Sequence, residues 1–246
     1  MESTDKPDVA VVIPTYNEGE NIGRLLEKVL DLDLSLCVAV VDDNSPDGTA
    51  DKAKAMGDSR VKVIHRTGPR GYGKAVRDGF RWAIESGADY VVSMDADFSH
   101  DPGRIPDLVR SAEKESDIVI GSRYCPDGGT INWPMHRIML SRTANHYVRV
   151  GLGMPVLDAT SGFRCYRRAV LEKLDTDAIR SEGYSFLVEV LYRCYLEGAQ
   201  IGEIPILFVD RLKGKSKIST KEIYRSIFTV LRLRFSRRKN PVILPK

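Results

Sequence analysis

Short Val- and Ile-rich runs alternate with helical segments along the first half of this chain, and that alternation leaves few folds open. Residues 9–13, 38–41, 61–64, 90–94 and 118–120 are continuous and β-branched, as strands buried on both faces must be. Between them, residues 21–30, 49–56, 72–85 and 104–114 repeat apolar positions at helical spacing. The pattern predicts an α/β fold on a mostly parallel sheet with right-handed crossovers. At 246 residues and 42% apolar content, one domain with a real core is expected. No internal repeat, low-complexity linker or domain break interrupts it.

Beyond Gly121 the pattern loosens. Residues 137–150 read as a helix, 163–166 as a strand and 186–196 as a helix. Residues 201–208 read as a strand whose internal Pro205 places it at an edge. Ser219 and Glu222 have capping-box spacing and open a last helix. In that helix Ile223, Tyr224, Ile227, Phe228, Leu231 and Phe235 share one face, and Lys221, Arg225 and Arg232 share another.

Ligands of open parallel sheets bind beyond the carboxyl ends of the strands. Here those ends carry chemistry. The first gives Pro14-Thr15-Tyr16-Asn17-Glu18, the second Asp42-Asp43-Asn44-Ser45-Pro46-Asp47-Gly48, and the fourth Asp95-Ala96-Asp97-Phe98-Ser99-His100. Tyr16 is placed to stack on a base and Asp43 to accept from a base or ribose. Asp95 and Asp97 suit ribose and a hard divalent cation shared with a diphosphate. Asp47-Gly48 reads as a turn. There is no Walker A sequence, and Gly68-Pro69-Arg70-Gly71-Tyr72-Gly73 lacks the dinucleotide order. Metal and basic side chains must then neutralise a nucleotide diphosphate.

The net charge of +3 hides an asymmetry. Residues 211–246 hold 12 Lys or Arg and one acid, leaving 25 basic and 33 acidic residues before them. A basic tail on an acidic body predicts a negatively charged partner. An amphipathic helix in such a tail either lies in a membrane interface or packs its apolar face on the sheet with its arginines solvated. Nucleic acid is not expected, because no interleaved aromatics or known module accompany the charge. The start of the chain is acidic and lacks an apolar leader, and no stretch is long and apolar enough to span a bilayer. A cytoplasmic protein lying on a membrane face is the expectation. Cys37, Cys125, Cys165 and Cys194 have no paired spacing, and the four histidines have no ligand spacing, so zinc and redox chemistry are not expected.

These strand-end motifs, with Gly121-Ser122-Arg123-Tyr124, resemble family 2 glycosyltransferases of GT-A fold. Asp158-Ala159-Thr160-Ser161-Gly162-Phe163-Arg164, Gly183-Tyr184-Ser185-Phe186, Val209-Asp210-Arg211 and Gly214-Lys215-Ser216-Lys217 narrow the resemblance to the dolichol-phosphate mannose synthase branch, over roughly residues 8–235. It implies a nucleotide-sugar-binding half near 8–122, an acceptor half near 123–218 and a basic amphipathic segment near 219–246. It implies inverting transfer of mannose from GDP-mannose to dolichyl or other polyprenyl phosphate, for glycan and glycolipid assembly. By motif, Pro14, Tyr16, Glu18, Val41 and Asp43 would line the guanosine pocket. Asp95, Ala96 and Asp97 would meet ribose, diphosphate and Mg²⁺ or Mn²⁺, with Asp97 the main ligand. Ser99, where some relatives carry Gln, would be a weak one. Arg123, Arg211 and Lys217 would hold donor phosphates or sugar. Many relatives add transmembrane helices, so a small membrane anchor subunit is a conceivable partner.

An acceptor phosphate is anionic at neutral pH and needs no strong general base, unlike a sugar hydroxyl. Arg137 and Ser141, one helical turn apart, are candidates to meet it. The Asp158–Gly162 stretch either shapes the sugar pocket or only turns the chain. Two rival reactions remain: UDP-glucose with the same acceptor, or a hydroxyl acceptor.

Overall fold

The computed structural model describes residues 6–210 and 220–237. A seven-stranded sheet forms the centre, with β1 (Val9–Thr15), β2 (Leu36–Asp42), β3 (Val61–His65), β4 (Tyr90–Ser93), β5 (Ile118–Ser122), β7 (Arg164–Arg167) and β8 (Ile201–Pro205) in the order β3-β2-β1-β4-β7-β5-β8. Only β7 runs antiparallel to its neighbours. β6 (Gly129–Ile131) and β9 (Leu207–Val209) make a separate parallel pair.

Alternation along the strands builds two cores. Val9, Val11 and Ile13 face one side with Val38 and Val40; Ala10 and Val12 face the other with Ala39 and Val41. Helices cover both faces because their apolar positions recur every turn. α1 (Ile22–Leu30) buries Ile22, Leu25, Leu26 and Val29; α4 (Ile105–Lys114) buries Ile105, Leu108, Val109 and Ala112. α2 (Thr49–Ala55) packs on β3, and α3 (Tyr72–Glu85) lies against β1 and β2. α3 comes so close that a Cβ on Gly79 would sit 2.2 Å from Val12 Cγ1.

The second half departs from the sequence expectation in three places. Residues 201–208 do not form one strand: the chain leaves the large sheet at Pro205, which lacks the N–H to continue a ladder, and β9 joins β6 instead. The short helix α6 (Arg168–Lys173) and strand β6 have no periodic signal long enough to reveal them. Of the two placements open for the apolar face of α8 (Thr220–Arg237), packing on the sheet does not hold: Val230 and Leu233 are buried, whereas Ile227, Phe228, Leu231 and Phe235 are exposed. α8 lies against α5 (Met135–Leu152) and α7 (Tyr184–Leu196). Ser219 of the expected capping box lies outside the described residues.

Candidate active site

Parallel pairing brings the ends of β1, β2 and β4 to one rim, with Thr15 opposite Asp42 and Val12 opposite Ser93. The loops there are locked by short carboxylates. Asp42, fully buried, accepts from Thr15 Oγ1 (3.2 Å), Ser45 N–H (3.0 Å) and Ser45 Oγ (2.5 Å). Asp47 accepts from Gly19 N–H (2.8 Å), Thr49 N–H (3.1 Å) and Thr49 Oγ1 (2.5 Å), as expected of a turn residue. Burial tends to raise its carboxyl, and these hydrogen bonds hold it below the usual range. Asn17 and Glu18 N–H donate to Ser45 Oγ and Thr49 Oγ1, both at 3.0 Å. The first and second strand-end loops therefore form one unit.

Asp43 is nearly buried, and both its oxygens are engaged: one by the Arg66 guanidinium, the other by Gly71 N–H at 2.7 Å. Arg66 also donates to Asp78 (2.7 Å). Arg70 stacks over the Tyr16 ring at 4.6 Å. Pro14 is half-buried, and Val41 is wholly buried with its carbonyl accepting from Thr15 Oγ1.

The fourth strand end turns sharply. Phe98 adopts φ +60°, and Asp97 accepts from Ser99 N–H at 3.0 Å. Ser99 carbonyl accepts from Val209 N–H (3.3 Å). Ser99 Oγ is buried without a hydrogen-bond partner among the described residues. Ala96 is buried. His100 Nδ1 accepts from Asp95 N–H at 3.2 Å, and the ring stacks on Phe163 at 5.0 Å. Burial drives the His100 pKa down, in keeping with a neutral ring that accepts at Nδ1. A Cβ on Gly162 would lie 2.8 Å from Tyr72 Oη and 3.6 Å from Asp95 Oδ1, so glycine lets the 158–162 loop reach the aspartates.

The first residue of that loop is Asp158. Its carboxylate grips Arg123: Nε and Nη2 donate to the two oxygens at 2.7 and 2.6 Å, and the Arg123 N–H donates at 3.0 Å. Arg123 Nη2 also donates to Thr160 Oγ1 (2.7 Å). Both side chains are buried. Burial pushes the Asp158 carboxyl up, and the Arg123 guanidinium overrides it and holds it below the usual range. Tyr124, Trp133 and Phe208 surround the Arg123 guanidinium at 5.3–5.5 Å. Arg137 stacks on Trp133 at 3.8 Å and donates to Asp210 at 2.8 Å. Ser141 is half-buried on α5, one turn from Arg137.

A groove of about 1220 Å³ runs along this rim. Tyr16, Glu18, Asp97, Ile131, Leu207 and Asp210 are among the residues that line it. Arg24, Lys28 and Arg104 add positive charge. Among the described residues, no three His, Cys, Asp or Glu side chains converge as a metal cage. Arg211 and Lys217 lie outside the described residues. Nothing in the sequence signalled Arg66, Trp133 or Phe208, which lack motif spacing; it placed His100 at the fourth strand end without a role and showed Asp158 only as part of a loop.

The sequence profile described as "Glycosyl transferase family 2" matches residues 10–175. The chain is 43% identical over 223 residues to polyprenol monophosphomannose synthase of Mycolicibacterium smegmatis, covering 89% of this chain and 84% of that one. It is 44% identical over 226 residues to undecaprenyl-phosphate mannosyltransferase of Micrococcus luteus, covering 91% and 93%. Dolichol-phosphate mannosyltransferase of Pyrococcus furiosus is 37% identical over 230 residues, 92% of this chain and 63% of that longer one. Among solved structures, glucosyl-3-phosphoglycerate synthase of Mycobacterium tuberculosis, in complex with Mn²⁺, UDP and glucosyl-3-phosphoglycerate, superposes with a TM-score of 0.63 at 21% identity, covering 96% of this chain and 81% of that one. At that identity the likeness speaks for the fold.

Proposed function

The chain belongs to glycosyl transferase family 2 and has a GT-A fold, and from that premise we propose that it transfers mannose from GDP-mannose to a polyprenyl phosphate. Its relatives' names support the mannose and the lipid phosphate. The observation that carries the reading is that Asp97 and Asp210, the partner of Arg137, line the same groove. A carboxylate suited to a donor diphosphate–metal pair and the carboxylate that Arg137 meets thus open on one groove.

On this reading Pro14, Tyr16, Glu18, Val41 and Asp43 frame the guanosine, with Arg70 sharing the face of Tyr16. Asp95 and Ala96 approach the ribose and diphosphate. Arg211 and Lys217 serve the donor phosphates from the segment before α8. A divalent cation, Mg²⁺ or Mn²⁺, fits the oxygen donors Asp97 and the unpartnered Ser99 Oγ; when bound, it stabilises charge on the departing diphosphate.

Arg137 and Ser141 hold the acceptor phosphate so that one anionic oxygen faces the anomeric carbon. That oxygen displaces GDP from the opposite face and inverts C1. No protein base is required, because the nucleophile carries no proton to remove. Arg123, kept charged and aimed by Asp158, adds positive potential at the developing charge.

No described helix is long and apolar enough to cross a membrane. Exposed Met135 and Met139 on α5, with Phe228 and Phe235 on α8, support contact with a membrane surface, where a polyprenyl chain resides. A cytoplasmic face and a small membrane anchor subunit are compatible with this placement.

The test is transfer of radiolabel from GDP-mannose, UDP-glucose and UDP-GlcNAc to polyprenyl phosphate, with Mn²⁺ or EDTA. Metal-dependent mannolipid from GDP-mannose alone is the expected outcome. Product only from UDP-glucose would overturn the donor assignment, and no lipid product from any donor would overturn the acceptor.

A further inference from the structure

A separate cavity of about 290 Å³ lies beside α5, lined by Tyr124, Arg142, Asn145, His146, Arg149 and Leu157. It shares no lining residue with the groove that holds Asp97. α5 contains three arginines and no Asp or Glu. Arg142 stacks on Tyr124 at 5.7 Å, and neither it nor Arg149 meets a carboxylate among the described residues. Guanidinium groups left open around a cavity favour an anion, and their planar fork matches phosphate oxygens.

A second observation narrows the ligand. Asn145 is only 3% exposed. Its Nδ2 donates to Ser141 carbonyl and Thr160 Oγ1, both at 3.1 Å, but its Oδ1 has no partner among the described residues. The Tyr124 hydroxyl is likewise buried without one. A buried amide oxygen calls for a donor. A bare phosphate diester offers none, but a hydroxyl beside it does.

The surroundings point to the source. Met139, Arg142, His146, Arg149 and Val150 follow one another at helical spacing and share one face of α5. Met139 and Val150 are 63% and 62% exposed. The cationic cavity thus lies on a helix face flanked by exposed apolar side chains, a combination that suits a lipid interface.

We propose that this pocket seats the headgroup of an anionic phospholipid carrying a phosphodiester and free hydroxyls, of the glycerol or inositol type. The inference rests on the membrane-surface reading above and adds a defined subsite to it. Occupancy bears on the active site through one relay, because Asn145 and Arg123 both donate to Thr160 Oγ1.

The experiment is flotation of the full chain with phosphatidylcholine vesicles doped with phosphatidylglycerol or, at equal surface charge, phosphatidylmethanol, whose phosphodiester has no headgroup donor beside it. Wild type is expected to prefer phosphatidylglycerol. The pair Arg142→Gln and Arg149→Gln is expected to lose about tenfold or more of that binding, together with the preference. The pair Lys54→Gln and Lys173→Gln, on exposed positions of α2 and α6, removes the same charge and is expected to retain both. Equal losses in the two pairs, or equal binding of the two lipids by wild type, would show bulk charge alone and overturn the pocket while leaving the membrane reading intact. Inorganic phosphate binding that the arginine pair abolishes, with vesicle binding unchanged, would reassign the pocket to a free phosphate. No vesicle binding by wild type would overturn the membrane reading and the pocket with it.

Discussion

Residues 6–122 and residues 123–210 with α8 share one sheet but are held in different ways. In the first region residues 9–13, 38–41, 91–92 and 118–120 are aliphatic and wholly buried, and loops are locked by carboxylates close to them, such as Asp42 and Asp47. In the second, buried charges do the fastening. Arg123 is held by Asp158; Arg164, wholly buried, donates to the carbonyls of Ser161, Leu187 and Ala159 at 2.7–2.8 Å. Glu189, also wholly buried, gathers Ser181, Arg193 and Arg232 and so ties α8 to α7. Arg232, expected in solvent, turns inward to it. Apolar contact is non-directional and forgiving; a buried ion pair is directional and fails badly when one partner is removed. The second region should therefore be the brittle one.

The largest expected effect separates chemistry from scaffold. Asp97→Ala should lower transfer by a factor of about 10³ or more, the upper range for losing one preorganised stabiliser, with a thermal midpoint close to wild type. Near-normal turnover would reject the metal role. Asp158→Ala should cost both properties, because it strands buried Arg123: about 3–5 kcal/mol in urea unfolding, with activity falling as well. A loss below about 1 kcal/mol would remove the basis for calling this region brittle.

Glu189→Gln should cost less, about 1–3 kcal/mol, because Arg193 and Arg232 retain some solvent. Limited proteolysis should then cut near α8 before the sheet opens; simultaneous loss of both would show that α8 is not fastened separately. Acid should reach both regions, the first before the second. His100 is held neutral by burial, so the unfolded chain takes up its proton first, and stability should begin to fall below about pH 6.5. Burial pushes the Asp158 and Glu189 carboxyls up, but their partners lower them on balance. Their stabilisation is therefore present above the ordinary carboxylate pKa and lost as pH falls through about 4.5 and below. Urea midpoints across this range should fall in two stages, the second flattened by combining Asp158→Asn with Glu189→Gln. The smallest effect belongs to the forgiving region: Ile13→Val should cost about 0.5–1.5 kcal/mol and leave transfer unchanged. A cost matching Asp158→Ala would erase the contrast.

Legibility follows the same division. β1 to β5 and α1 to α4 could be read because apolar periodicity is a local signal, and the acidic rim because parallel strands deliver their ends together. Asp158 stood in view as a loop residue, yet its partner Arg123 lies 35 positions away. Arg66, which engages Asp43 from 23 positions away, gave no signal at all. The apolar face of α8 was visible, but nothing in its spacing said that Val230 and Leu233 would face the protein and Phe228 and Phe235 the solvent.

By itself the sequence determined the α/β class, the ends of the parallel strands and the side chains offered there, because periodicity and residue chemistry belong to each short segment. Only the tertiary structure decided which arginine meets which carboxylate, where the chain leaves the sheet at Pro205, and which side of α8 turns outward. Those outcomes depend on competition among distant partners for the same buried space, and that competition is resolved only when the chain is packed.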